Sequence, residues 1–252
     1  MSAGWTRADA DFAAEIAAAA GKLLQEVRAS RSWDAKELGK AGDAASNDLL
    51  CHAITTERPD DGLLSEERKC DGSRLTKSRT WIIDPVDGTR EYGEERDDWA
   101  VHVALCIDGR PELGVVALPD AGLVLRSDAP PALRPLNDPP RMVVSRTRPA
   151  AEAVAVAQAI GAELVPMGSA GAKAMAVVRG LADVYLHSGG QHEWDNAAPV
   201  AVALAAGLHA TRLDGSPFIY NCAETWVPDL LICRRELIGR VTHALHSLPV
   251  AG

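Results

Sequence analysis

The sequence predicts a mixed α/β protein, with an α+β first half and a second half in which strands and helices alternate. Three observations carry this reading. Two stretches of helical spacing open the chain and are followed by strand-like segments between residues 62 and 126. From Met142 onward, short apolar segments take turns with alanine-rich helical ones, the ordering of α/β folds. Aromatic residues make up 4% of a chain that is 47% hydrophobic, so Ala, Val, Leu and Ile must fill the interior.

Residues 6–28 read as an amphipathic helix, since Phe12, Ile16, Leu23, Leu24 and Val27 fall near helical spacing. After a polar stretch, a second helix is expected over residues 44–56, where Leu50 and Ile54 repeat and Pro59 is the stop. Asp43, just ahead of it, fits an N-cap. Residues 62–65 form a short strand ending at Glu66. Residues 81–83 are an apolar run of buried-strand type, halted by Asp84-Pro85. Trp99, Val101, Val103 and Leu105 alternate in the manner of a strand. Residues 114–118 and 123–126 flank the turn Pro119-Asp120-Ala121-Gly122 as a hairpin.

Five prolines between Ser127 and Pro140 mark a connection between lobes. The chain is long enough for one large domain or two closely packed lobes. The division falls at residues 1–135, an α+β N-terminal lobe, and 136–252, an α/β C-terminal lobe. The second lobe reads as a strand (142–144), a helix (150–160), a strand near Leu164, a helix (171–178), a strand (182–186) and an alanine-rich helix (197–206).

Acidic residues number 35 against 26 basic ones, a formal charge of −9. Such a surface repels nucleic-acid backbones and acidic membranes, and no Lys/Arg cluster offsets it, so neither is an expected partner. A small anionic substrate is still compatible where bound cations reverse the field locally. The cysteines (Cys51, Cys70, Cys106, Cys222, Cys233) are odd in number and form no CxxC pair, so neither a disulfide framework nor a zinc site is indicated and free thiols are expected. With no signal-like N-terminus and no apolar run of membrane-spanning length, a soluble, cytoplasmic protein is expected.

The chemistry concentrates in Trp81-Ile82-Ile83-Asp84-Pro85-Val86-Asp87-Gly88-Thr89. A buried strand delivers Asp84 to its end, Pro85 constrains the backbone, and a tight turn brings Asp87 beside it. Two carboxylates so placed repel each other unless a proton or metal lies between them. Magnesium suits them because it prefers hard oxygen ligands, and the Val86 carbonyl is a further donor. Gly88 permits close backbone approach, and the amides that follow open a short helix, a setting for phosphate. Taken alone, the segment is equally an Asx-rich turn capping a helix.

Two other elements bear on the choice. Leu64-Ser65-Glu66-Glu67 puts carboxylates at a strand end, although Glu66-Glu67-Arg68-Lys69 also reads as a solvated charge run. Glu193-Trp194-Asp195-Asn196-Ala197-Ala198 puts Asp195 near the start of a helix, where an N-cap is the plain alternative. The haloacid-dehalogenase pattern DxDGT is absent, because two residues separate the aspartates. A covalent aspartyl-phosphate is thereby disfavoured.

In their order and types, the three elements resemble the signature of the inositol monophosphatase superfamily of lithium-sensitive, magnesium-dependent phosphatases. Within it the likeness is greatest to CysQ-type 3′(2′),5′-bisphosphate nucleotidases. Asp87-Gly88-Thr89-Arg90-Glu91-Tyr92 is similar to their DGTKEF run. Met142-Val143-Val144-Ser145-Arg146 resembles their SRSH segment, and Met167-Gly168-Ser169-Ala170-Gly171-Ala172-Lys173 their GSSxK segment. Three departures stand out. Thr147-Arg148 replaces Ser-His, Ala170 replaces the second Ser, and Glu193 precedes Trp194 where a hydrophobic or small residue is usual.

The resemblance implies an inositol-monophosphatase-like layered α/β/α/β/α sandwich with its site between the lobes, and members that are often homodimers. It implies two or three Mg2+ per site, with Mn2+ able to substitute. Glu66, Asp84 and the Val86 carbonyl would hold the first, and Asp84, Asp87 and Asp195 the second. Thr89 would orient an attacking water, with Glu66 or Asp43 as proton acceptor and the Gly88 and Thr89 amides on the phosphoryl oxygens. Ser145, Arg146, Gly168, Ser169 and Lys173 would contact substrate. Apart from the resemblance, Arg146 and Lys173 read equally as solubilising surface residues. His102, on the polar side of its strand, is assigned a structural role, His192 at most a minor one toward substrate, and Trp194 that of a packing anchor directing Asp195. The implied reaction removes the 3′-phosphate of adenosine 3′,5′-bisphosphate (PAP), and of its sulfated form (PAPS), recycling a by-product of sulfate assimilation. The alternative is inositol-1-phosphatase or fructose-1,6-bisphosphatase activity at the same metals.

Overall fold

Thr6 caps the first helix of the computed structural model, α1 (Arg7–Ala29). Its hydroxyl accepts from the Asp9 amide, and the Asp9 carboxylate accepts from the Thr6 amide. The structure describes residues 4–30, 34–69 and 72–248. In α2 (Ala35–Glu57) the cap is Asp34, whose carboxylate accepts from the Lys36 and Glu37 amides. The helix therefore starts well before the expected residue 44. Asp43 is not its N-cap but a buried residue in its interior. The early turns hide from periodicity because Gly39 and Gly42 occupy contact positions, where α2 seats against Thr89 and Tyr92.

There follow β1 (Gly62–Ser65), β2 (Arg79–Asp87), α3 (Thr89–Gly93), β3 (Ala100–Ile107), β4 (Arg110–Leu118) and β5 (Leu123–Arg126). These strands form one sheet in chain order, with β1 parallel to β2 and the others antiparallel. Next come β6 (Arg141–Ser145), α4 (Ala151–Ile160), β7 (Glu163–Met167), α5 (Ala170–Val178), β8 (Val184–His192), α6 (Glu193–Ala205), β9 (His209–Thr211), β10 (Trp226–Cys233) and α7 (Ile238–His246). The second sheet has the order β7-β6-β8-β10-β9. Its first three strands are parallel, and β10 runs antiparallel to both neighbours.

Three apolar clusters separate five layers. α1 and α2 lay Ile16, Leu24, Leu50 and Ile54 on Trp81, Ile83, Val101 and Val103 of the first sheet. The opposite face of that sheet, with Ile82, Ala104 and Val116, packs on α5 and α6, which also meet Val143, Tyr185 and Leu230 of the second sheet. α4 and α7 cover the outer face over Met142, Val144, Leu186 and Leu231. The result is an α/β/α/β/α sandwich. Its small residues suit its central layer, since Ala174, Ala176, Ala197, Ala198 and Ala203 let two helices lie between two sheets.

Several elements differ from the sequence reading. α6 begins at Glu193, ahead of the expected residue 197, because His192 ends β8 in extended conformation and serves as the cap. β9, β10 and α7 have no counterpart in that reading. Pro228 interrupts the β10 pattern, and the β8–β10 pairing shifts register between Val227 and Asp229, as a bulge requires. β3 has no polar side: all its residues but Ile107 are buried, so His102 faces helices and not water. Cys51, Cys106, Cys222 and Cys233 are free thiols, and Cys70 lies outside the described residues. Among the described residues, no helix is long and apolar enough to cross a membrane.

Candidate active site

The β2–β3 pairing is in register through Asp84 opposite His102 and resumes at Asp87 opposite Ala100, so Pro85 and Val86 form a bulge. What the sequence suggests as a tight turn is this bulge at the end of a continuing strand. It is pinned on all sides. The Val86 amide donates to Asp84 Oδ1 (3.1 Å), the Ser46 hydroxyl to the Pro85 carbonyl (2.8 Å), and the Thr89 hydroxyl to the Val86 carbonyl (3.1 Å). Gly88 follows with φ of 88°, a left-handed conformation that glycine adopts without strain, and it caps α3.

Asp195 arrives from the far half of the chain as the third residue of α6. Its Oδ2 accepts from the His192 amide at 2.6 Å. Asp195 is therefore not the N-cap, which is His192, but its partner at the third helical position, because the helix starts earlier than the sequence suggests. Carboxylate oxygens of Asp84, Asp87 and Asp195 all lie within 4.8 Å of one another, close enough to hold a divalent cation. Glu66 follows β1, whose parallel pairing sets Ser65 opposite Ile83. Glu66 is exposed as a residue, and its carboxyl is hydrogen-bonded with that of Asp84.

The electrostatics of this cluster are those of a site in need of cations. Burial, then the Glu66 and Asp87 charges, push the Asp84 carboxyl well above the usual carboxylate range. Burial and the Asp87 charge raise Asp195 to about 6, and burial and the Asp195 charge raise Glu66 to about 7. Asp43, buried and near Glu67, is also raised to about 7, and the Thr89 hydroxyl stands 3.3 Å from it. Asp87 alone goes the other way. Burial opposes its ionisation, but His102, the Ser169 hydroxyl and Lys173 hold it down at about 2. Its Oδ2 accepts from Ser169 Oγ and the Gly171 amide at 2.5 Å each, and its Oδ1 from the Ala170 amide at 3.0 Å. An all-oxygen donor set, crowded and short of positive charge, fits a hard divalent cation of the magnesium class.

Next to the cluster is a pocket of about 390 Å³ lined by Arg90, Glu91, Ser145, Thr147, Arg148, Gly168, Ser169 and Lys173. Of the five expected substrate contacts, the structure therefore gathers four on its wall. The Arg146 guanidinium is engaged instead by Glu91 (2.7 Å) and Glu94 (2.5 Å). Lys173 is buried and directs its ammonium to the Gly168 and Ser169 carbonyls, at 2.7 and 2.6 Å. Arg148 is exposed and makes no ion pair with any carboxylate among the described residues. Ser169 caps α5 at a φ of 38°, a strained value for a residue with a side chain. A larger, mostly apolar cavity of about 870 Å³ lies at the C-terminal end of α6, opposite Asp195, and holds no part of the acidic cluster.

Sequence reasoning missed four supporting residues. Asp98 accepts from the Gly168 amide at 2.5 Å and is itself gripped by Arg96. Glu91, inside the DGTREY run, holds Arg146. Glu193 accepts from the Asn221 and Cys222 amides, so the departure from the family pattern serves a loop contact. His102 touches Asp87, where a structural role alone was foreseen. Glu91 and Glu193 lay within motifs, Glu193 as a departure whose contact was not foreseen; Asp98 and the His102 contact have no signal in local pattern. Trp194 packs partly buried on the central core and stacks on His192, with ring centroids 4.6 Å apart. His192 itself bonds Thr225.

The fold and site find relatives on comparison with known proteins. A 3′-phosphoadenosine 5′-phosphate phosphatase of Mycobacterium tuberculosis is 50% identical over 242 residues, covering 89% of this chain and 90% of its own. The 3′(2′),5′-bisphosphate nucleotidase CysQ of Escherichia coli K12 is 31% identical, over 74% of this chain and 81% of its own. An inositol monophosphatase of Anabaena superposes with a TM-score of 0.78 at 24% identity, over 96% of this chain and 97% of its own, a likeness of fold alone. The inositol monophosphatase family model matches residues 5–129 and 140–247, spanning every element that carries the acidic cluster, and the chain belongs to that family.

Proposed function

We infer that this protein is a magnesium-dependent phosphatase that hydrolyses the 3′-phosphate of adenosine 3′,5′-bisphosphate, and of its sulfated form, in nucleotide recycling. The observation that carries the reading is a cation-hungry carboxylate cluster adjoining a pocket whose rim holds Arg148, a guanidinium with no acidic partner among the described residues. The names of the relatives described above support the nucleotide as substrate.

Glu66, Asp84 and the Val86 carbonyl, with Asp87 and Asp195, would hold the divalent ions, two or three in number. When bound, Mg2+ (or Mn2+ in its place) supplies charge for the phosphoryl oxygens and lowers the pKa of the attacking water. The Thr89 hydroxyl, anchored by the Val86 carbonyl, orients that water. Asp43, 3.3 Å from the Thr89 hydroxyl, would receive the water's proton, with Glu66 as the other acceptor. The Gly88 and Thr89 amides steady the phosphoryl oxygens as charge moves to the leaving group. Ser145, Gly168, Ser169 and Lys173 shape the nucleotide pocket, and Arg146 braces its wall through Glu91 and Glu94.

Phosphate release from a panel of adenosine 3′,5′-bisphosphate, its sulfated form, inositol 1-phosphate and fructose 1,6-bisphosphate tests the reading. The nucleotides are expected to give the highest kcat/KM. A nucleotide ranking last by a wide margin would overturn the substrate and leave the alternative sugar or inositol activity.

A further inference from the structure

His102 stands in β3 with 0% exposure, where β2, α5 and α6 converge. It is the register partner of Asp84, so the two side chains leave the same face of the sheet. Nδ1 lies 3.0 Å from the Trp194 carbonyl, in the first turn of α6 and one residue before Asp195. Nε2 lies 3.2 Å from Asp87 Oδ2. That nitrogen is sealed from water and has no aligned hydrogen bond among the described residues, and the Asp87 carboxylate is the charged group it meets. The helix opposite leaves room for the ring, because a Cβ on Gly171 would fall 2.0 Å from Nε2.

One imidazole thus touches the two segments that bring Asp87 and Asp195 together from opposite halves of the chain. A histidine that merely filled the core would need neither contact. We propose that His102 is a positioning residue that sets the spacing of Asp87 and Asp195, and with it the affinity of the acidic cluster for divalent cation. The proposal rests on the reading of that cluster as the cation site. Partners behind metal ligands typically contribute about 10–100-fold in metal affinity.

Two conservative replacements separate the contacts. The amide nitrogen of Asn reaches where Nδ1 stands, and that of Gln where Nε2 stands. Mn2+ binding is titrated by calorimetry on the full chain for the wild type, His102→Phe, His102→Asn and His102→Gln. Melting of the cation-free proteins serves as the folding control. The Phe variant is expected to bind Mn2+ about 10–100-fold more weakly, with Asn and Gln each restoring part of the loss. A folded Phe variant that binds within about 2-fold of the wild type overturns the proposal. Should the Phe variant fail to fold, wild-type affinity in both amide variants overturns it equally. If the wild type binds no Mn2+, the cation-site reading fails, and the proposal falls with it.

Discussion

Asp84 sits 1% exposed among Glu66, Asp87 and Asp195, and without a cation it must either take up a proton or bury a charge. Asp84→Asn needs neither, and the Asn oxygen keeps the acceptor for the Val86 amide. The cation-free variant should therefore melt higher than the wild type, a relief of about 1 kcal/mol corresponding to roughly 2–4 °C in a chain of this size. Its turnover should fall by more than the ~10–100-fold typical of groups behind the ligands. Full activity would strike Asp84 from the ligand set. Arg148 offers a second test at this scale. A charge-assisted hydrogen bond contributes about 1.5–3 kcal/mol, so Arg148→Ala should raise KM for the nucleotide bisphosphate by roughly 10–100-fold. The KM for inositol 1-phosphate, which lacks a second phosphate, should stay nearly constant. An equal rise for both would remove Arg148 from recognition of the second phosphate.

At the scale of elements, the N-terminus of α5 is the most tightly built part of the site. Asp98 holds the Gly168 amide, Ser169 caps the helix in a strained conformation, and three groups at its start bind Asp87. Gly171→Ala would drive its Cβ into His102 Nε2 and to 3.0 Å from Asp87 Oδ2. Overpacking of this kind costs about 1–3 kcal/mol, to be read from the denaturation midpoint, and Mn2+ affinity should fall along with it. An unchanged midpoint would mean that α5 shifts without resistance. The motifs around Asp84, Asp87 and Asp195 were legible because each is a short run of distinctive residue types at an element end. The start of α2 was not, since glycines that permit close contact look like breakers when only one strip of sequence is in view. Nor was the His102 contact, because a strand covered on both faces has no polar side to interpret.

For the whole molecule, the raised carboxyls predict how stability depends on pH and cation together. Asp43 and Asp195 titrate near 7 and 6 in the folded protein but at about 3.8 when unfolded. Between roughly pH 4 and 7 the folded state therefore binds more protons than the unfolded one, so stability falls as pH rises through that window. In chelator the melting temperature should drop from about pH 5 to about pH 7.5, and saturating Mg2+ should raise it more at the higher pH. A cation-free protein that melts higher at pH 7.5 would contradict the buried-carboxylate account.

Sequence alone determined the residue chemistry of this protein. Periodicity indicated an α+β half followed by alternating strands and helices, and three acidic motifs in order carried the resemblance that implied a divalent-cation phosphatase on a layered frame, because residue type and local periodicity are properties of neighbouring residues. Tertiary structure decided the distances. Asp195 meets Asp87 across more than a hundred residues only because α6 lies in a central layer packed between two sheets. The same packing buries His102 between them and turns Arg146 toward Glu91 and Glu94. Contacts between remote segments depend on how layers stack, and no local pattern encodes that.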